Sequence, residues 1–160
     1  MADEEMGDNG STIITYTSDK PDAIIEAVTN GTDIKPGHVV TNVGESNEED
    51  IDLCGQTETP LGVVLCNPDH DIDDAYSDNT TVQVARCGSG CKVRVWYQAN
   101  GGDAQKGEIV VLGSEAGKVV VYGYTDGAVN TDTLATKVGR LAEAVTNDAT
   151  DDQVVEVWLD

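Results

Sequence analysis

Cys91-Lys-Val-Arg-Val-Trp-Tyr97 is the stretch on which the fold turns. An extended backbone sends successive side chains to opposite faces, which puts Val93 and Val95 on one side and Lys92, Arg94 and Trp96 on the other. Gln153-Val-Val-Glu-Val-Trp-Leu159 behaves likewise, with Val155, Val157 and Leu159 alternating. Both stretches read as half-buried strands.

Working outward, similar short apolar runs fill the chain from Ile34 onward: His38–Val43, Leu61–Cys66, Thr81–Ala85, Glu108–Leu112 and Lys118–Tyr124. Gly, Pro, Asn and Asp separate them at fairly regular intervals, the pattern of an all-β barrel or sandwich. Ser11–Thr17 offers a first strand, and Pro21–Val28 reads equally as a short helix or an extended piece. One segment points elsewhere. Leu134, Val138, Leu141 and Val145 fall at helical spacing behind a cap at Thr131 or Asp132, whereas Gly139 costs a helix about 1 kcal/mol relative to Ala. Residues 137–145 therefore stand open between helix and strand. Ile34-Lys-Pro-Gly-His-Val-Val40 and Gln105-Lys-Gly-Glu-Ile-Val-Val111 echo each other, and we read them as equivalent strand lead-ins of one barrel. The expected organisation is a flexible acidic arm over residues 1–17, carrying the first strand, and a single β-barrel domain over 18–160.

Composition narrows the function. The 160 residues hold 9 Lys+Arg against 30 Asp+Glu, a formal net charge of −21. A phosphate backbone is bound by a basic footprint, so neither nucleic acid nor an anionic membrane is an expected partner. No apolar run reaches the roughly 20 residues of a membrane helix, and the acidic start MADEEMGDNG is the reverse of a signal peptide. Acids distributed along the whole chain, few lysines and small apolar residues match proteins adapted to molar salt, where screening reaches within a few Å.

Chemistry-bearing residues are sparse. The two histidines are His38, at the start of a strand and expected to be an ordinary half-exposed residue, and His70. Asn67-Pro-Asp-His-Asp-Ile-Asp-Asp74 is the densest set of oxygen ligands, but it lacks the Gly and terminal Glu of a calcium loop and reads as a solvated acidic turn. Glu45–Asp52 takes the same reading. Cys54, Cys66, Cys87 and Cys91 leave three options open: two disulfides, with Cys87–Cys91 closing a glycine turn; small buried apolar residues; or a zinc site, for which the spacing offers no paired knuckles. No nucleophile elbow, phosphate loop or dinucleotide fingerprint is present. The expectation is no enzyme and no cofactor. A small metal-dependent enzyme using Asp69, His70 and Asp71, or the cysteines, is the competing class.

The order of the runs resembles the head decoration, or capsid cement, proteins of tailed viruses. The resemblance rests on Gly37-His-Val-Val40, Pro60-Leu-Gly-Val-Val64, Val82-Gln-Val-Ala-Arg-Cys-Gly88, Gly107-Glu-Ile-Val-Val111, Val138-Gly-Arg-Leu-Ala-Glu-Ala144 and Val154-Val-Glu-Val157, and it covers roughly residues 34–159. It implies a compact barrel, assembled as a homotrimer on the outer capsid surface, made in the host cytoplasm and partnered by the major capsid protein. It also implies that the Val138-Gly-Arg-Leu segment is a strand. On this reading Ile13, Ile14 and Tyr16 of the arm are the capsid-contact candidates, adding an edge strand or apolar anchor to a neighbour. Another virion component, such as a tail or turret protein, and a cellular binding module are the alternatives. The chain departs from the family in its four cysteines, its acidity and the acidic stretch from Gly44 to Thr59.

Overall fold

A computed structural model of the chain describes residues 23–43, 50–124 and 136–160, together with the backbone of Ile13–Thr15. Its named elements are all strands: β1 (Ile13–Thr15), β2 (Ile24–Thr29), β3 (Val39–Asn42), β4 (Asp50–Leu53), β5 (Gly62–Val64), β6 (Thr81–Arg86), β7 (Lys92–Tyr97), β8 (Ile109–Leu112), β9 (Val119–Val121), β10 (Lys137–Leu141) and β11 (Gln153–Trp158). Valine dominates them because its branched side chain is stiff and packs well on a pleated surface. The alternation in β7 is complete: Val93, Val95 and Tyr97 are buried, and Lys92, Arg94 and Trp96 are half-buried.

The all-β barrel reading holds, but there are two rings rather than one. Strands β2-β4-β3-β5-β6 form a closed barrel, and β7-β11-β10-β8-β9 form a second ring, closed by a parallel β9–β7 contact at Tyr97↔Val119. The connectivity is identical. In each ring the first strand runs parallel to the third and antiparallel to the fifth, and the second pairs with the third and fourth. The two echoing lead-ins open the second strand of each ring. Gly37 (φ 87°) and Gly107 (φ 90°) take left-handed turns, and their N–H groups donate to the carbonyls of Val64 and Leu141, both at 2.8 Å. The residue after each glycine closes the turn: His38 Nδ1 accepts from the Lys35 N–H (3.0 Å), and Glu108 Oε2 from the Gln105 N–H (2.5 Å).

Equivalent positions also fill the two interiors. Ala27, Ile34, Val40, Ile51, Val64, Tyr76, Val82 and Val84 form the core of barrel 1. Their counterparts Val95, Ala104, Val110, Val119, Leu141, Val145, Val155 and Val157 lie in the core of barrel 2. Each fully buried Val, Leu or Ile contributes roughly 1.5–3 kcal/mol. The barrel 2 core extends without a break over the outside of barrel 1, taking in Val39, Cys54, Val63, Leu65 and Ala85. One outer face of barrel 1 is thereby buried.

Three expectations are resolved here. Of the ambiguous Pro21–Val28 segment, Ile24–Val28 belongs to strand β2 while Pro21 and Asp22 lie outside the described residues, and residues 137–141 form β10, as the family resemblance implied; the helical spacing is coincidental, and Leu134 also lies outside the described residues. The reading of Glu45–Asp52 as a solvated turn is corrected at its end, since Asp50–Leu53 is β4. Ile51 there is fully buried inside barrel 1, between the half-buried Asp50 and Asp52. Among the described residues no helix is long and apolar enough to cross a membrane.

Candidate functional site

The joint between the barrels gathers the chain's less common side chains. The outward-facing Trp96 of β7 reaches the lead-in of barrel 1: its amide donates to the Gly37 carbonyl (3.1 Å) and its indole Nε1 to the Pro36 carbonyl (3.0 Å). The Lys35 ammonium stands 5.7 Å from the Trp96 ring centroid, a cation–π contact. On the far side of β3, the Val39 N–H donates to the Gly117 carbonyl and the Gly117 N–H to the Cys54 carbonyl, both at 2.9 Å. A residue of barrel 2 is thus inserted between β3 and the end of β4. Lys118 follows it, paired with Asp152 at 2.6 Å and with Glu115.

His38 is part of this joint and is only 6 % exposed, which corrects its reading as an ordinary half-exposed residue. Barrel 2 covers it, and that contact is not encoded in the local sequence. Its ring lies 6.3 Å from that of Trp96. Burial, then the Lys118 and Lys35 charges, push its pKa down to about 4. A neutral ring closed off from solvent, with one nitrogen engaged by the backbone, is a poor proton carrier near neutral pH.

The four cysteines are free thiols, with Cys54, Cys66 and Cys91 buried and Cys87 partly so. Of the options left open by the sequence, the small buried apolar residue describes their surroundings best. Burial, with Glu58 and Cys87 nearby, pushes the Cys54 thiol up to about 12, and burial does the same for Cys87. Thiolate is the reactive form, so these groups are held inert. We expect disulfide-exchange reagents at pH 8 to modify the native protein at least roughly 100-fold more slowly than the chain unfolded in guanidinium. Stopped-flow absorbance would check this, and equal rates would contradict the burial argument.

The acidic turn is organised around an aromatic pair. His70 stacks on Tyr76 at 4.3 Å, and the Tyr76 hydroxyl donates to the Leu65 carbonyl (2.8 Å) while accepting from the Asn67 N–H (2.9 Å). Asp69, Asp71, Asp73 and Asp74 remain exposed. Among the described residues, no group of three or more His, Cys, Asp or Glu is arranged to hold a metal ion. Among the described residues, Asp69, His70 and Asp71 are therefore not joined by further ligands.

Two surface features remain. Ile13 and Ile14 lie in β1, which runs antiparallel to β7 of the same chain through Ile13↔Val93 and Thr15↔Lys92, while Tyr16 lies outside the described residues. Beside it, Arg94, Val154, Glu156, Glu143 and Ile72 line an open cleft of about 360 Å³. The cleft is wide and shallow, suited to contact with another surface more than to enclosing a small molecule. Sequence reasoning singled out neither the joint nor the cleft; the usable signal was Trp96, a large aromatic on the outward face of a strand.

No family model matches this chain, and no curated protein matches it.

Proposed function

We propose that the protein is a capsid decoration protein of a tailed virus of a salt-loving host. On this reading it binds the outer surface of the major capsid protein lattice as a homotrimer and stabilises the head, with no catalytic step and no cofactor. What carries the reading is where the family-like motifs fall. Gly37-His-Val-Val40 and Gly107-Glu-Ile-Val-Val111 open the second strands of the two barrels, and Gly62-Val-Val64 and Val138-Gly-Arg-Leu141 lie in their fourth strands. Each motif has a definite structural task. The strand contributed by the N-terminal arm, laid along the edge of β7, is consistent with an arm used for attachment, since an exposed edge accepts an added strand through main-chain hydrogen bonds.

The direct test is quantitative mass spectrometry of purified virus particles kept in high salt. Copy numbers comparable to the major capsid protein are expected, and absence from the particles would overturn the reading. Deleting Met1–Thr17 is expected to abolish capsid binding while both barrels stay folded, at a cost of about 1–2 kcal/mol for the lost β1–β7 hydrogen bonds. Normal binding by the truncated chain would remove the arm from the account.

A further inference from the structure

The duplication of the barrel defines an interaction surface. One row of residues crosses the outside of barrel 1 from strand to strand: Cys54, Val39, Val63, Ala85 and Ile24. Val39 pairs with Val63, Val63 with Ala85 and Ala85 with Ile24, while the Cys54 N–H donates to the Val39 carbonyl. Barrel 2 covers this row, and its first four members have no more than 0 % exposure.

The same row exists in barrel 2. Ile109 pairs with Arg140, Arg140 with Trp158 and Trp158 with Lys92, while the Tyr122 N–H donates to the Ile109 carbonyl at 2.8 Å. Its members Tyr122, Ile109, Arg140, Trp158 and Lys92 occupy the positions of Cys54, Val39, Val63, Ala85 and Ile24. Here the row is partly open, with Ile109, Trp158 and Lys92 half-buried. Tyr122 is 40 % exposed, the sole exposed large hydrophobic residue among those described, and Arg140 is exposed as well. The chemistry has changed along with the exposure. Small aliphatic residues have given way to Tyr, Trp and Arg, the types that dominate binding energy at protein interfaces. Lys92 lies 5.4 Å from the Trp158 ring centroid, and Lys137 and Arg140 flank Asp160.

We infer that this row is the docking surface for barrel 1 of a second copy of the chain, so that molecules join head to tail by repeating between chains the contact that the two barrels make within one. Two observations select that occupant. The covered row shows that this face of the barrel is built to receive another barrel of the same topology. Charge supplies the second. Residues 23–86 contain 13 acids and two cations, whereas residues 92–160 contain 11 acids and six cations, with Lys92, Lys137 and Arg140 at the row. A strongly acidic barrel 1 meets the less acidic barrel 2 at a row where these three cations, paired with Glu156 and Asp160, lie.

The repeat also fixes the register. Within the chain, the outward Trp96 of β7 bonds to the Pro36 and Gly37 carbonyls, and the backbone carbonyl of Arg94 approaches Gly37. The counterparts of Arg94 and Trp96 in β2 are Glu26 and Val28, and those of Pro36 and Gly37 are Lys106 and Gly107. The second copy therefore brings Val28 onto Lys106 and Gly107, with Glu26, the next outward residue of β2, beside them. The Glu26 and Lys106 side chains are exposed in the single chain. Such a contact is heterologous and yields a ring if its rotation closes, or a filament if it does not. The inference rests on the barrels alone and is independent of a capsid role.

Sedimentation velocity of the full chain in molar KCl tests it. The unmodified protein is expected to self-associate, and Arg140→Glu combined with Tyr122→Ser to weaken association at least roughly 100-fold with thermal unfolding unchanged. Glu26→Lys and Lys106→Glu, both at exposed sites, should each weaken assembly, and together restore it. A protein that stays monomeric, row variants that assemble like the parent, or a charge swap that fails to restore assembly would each overturn the inference.

Discussion

Replacing Gly139 by alanine is expected to destabilise the protein by about 3–5 kcal/mol. A Cβ there would stand 2.1 Å from the Trp158 carbonyl oxygen and 2.9 Å from its carbon, both backbone atoms that move only if β10 and β11 separate. The equivalent residue of barrel 1, Gly62, meets the Ala85 carbonyl oxygen at the same 2.1 Å. The cost is steric in both cases. Gly62→Ala should be comparably damaging, while alanine at Gly88, where no atom lies within 4 Å, carries only the strain of its φ of 82°. Chemical denaturation of the three variants would decide: equal, small losses for all three would mean that the strands accommodate a methyl group at those crossings.

Stability is expected to fall by about 3 kcal/mol between pH 6.5 and pH 4 through His38 alone. In the unfolded chain this imidazole titrates near its usual 6.5, and in the folded protein near 4. As the pH drops through that window the unfolded state binds a proton that the native state refuses, so the equilibrium shifts toward unfolding. The loss levels off once both states are protonated. Lys118 and Lys35 reinforce the effect of burial, and Asp33 and Asp152 oppose it. His38→Gln keeps an acceptor for the Lys35 N–H and removes the titration, so its stability curve should be flatter than the parent's across the window. Parallel curves for the two proteins would mean that the ring is not held neutral. Asp148, whose carboxyl is held below the usual range, weakens the fold only at lower pH, in parent and variant alike.

The strands were legible wherever a period of two was undisturbed, as in β7 and β11, because pleating converts alternation directly into an inside and an outside. β4 escaped for a local reason. Its single deeply buried residue, Ile51, is flanked by Asp50 and Asp52, and the neighbouring acids made the whole stretch resemble solvent-facing turn. The duplication surfaced only as the echo between the two lead-ins. Seventy positions separate Gly37 from Gly107 but seventy-seven separate Gly62 from Gly139, so loops of unequal length destroy any fixed repeat. What persists is backbone geometry: a left-handed turn, and a strand crossing too close for a side chain. The joint was illegible for a different reason. The burial of His38 and the reach of Trp96 come from residues about 60 positions apart, and no local pattern encodes them.

The shared core also has a consequence for synthesis. Barrel 1 contains every strand of its ring by Arg86, so it can close while the 74 residues from 87 to 160, which carry barrel 2, are still being made. At typical ribosome speeds that interval lasts roughly 4–15 s. Throughout it the nascent barrel displays Val39, Val63 and Ala85 to solvent, a sticky apolar strip that only the later half of the chain can cover. Chaperone demand should therefore peak between the emergence of β6 and that of β11, and end when barrel 2 closes over the strip.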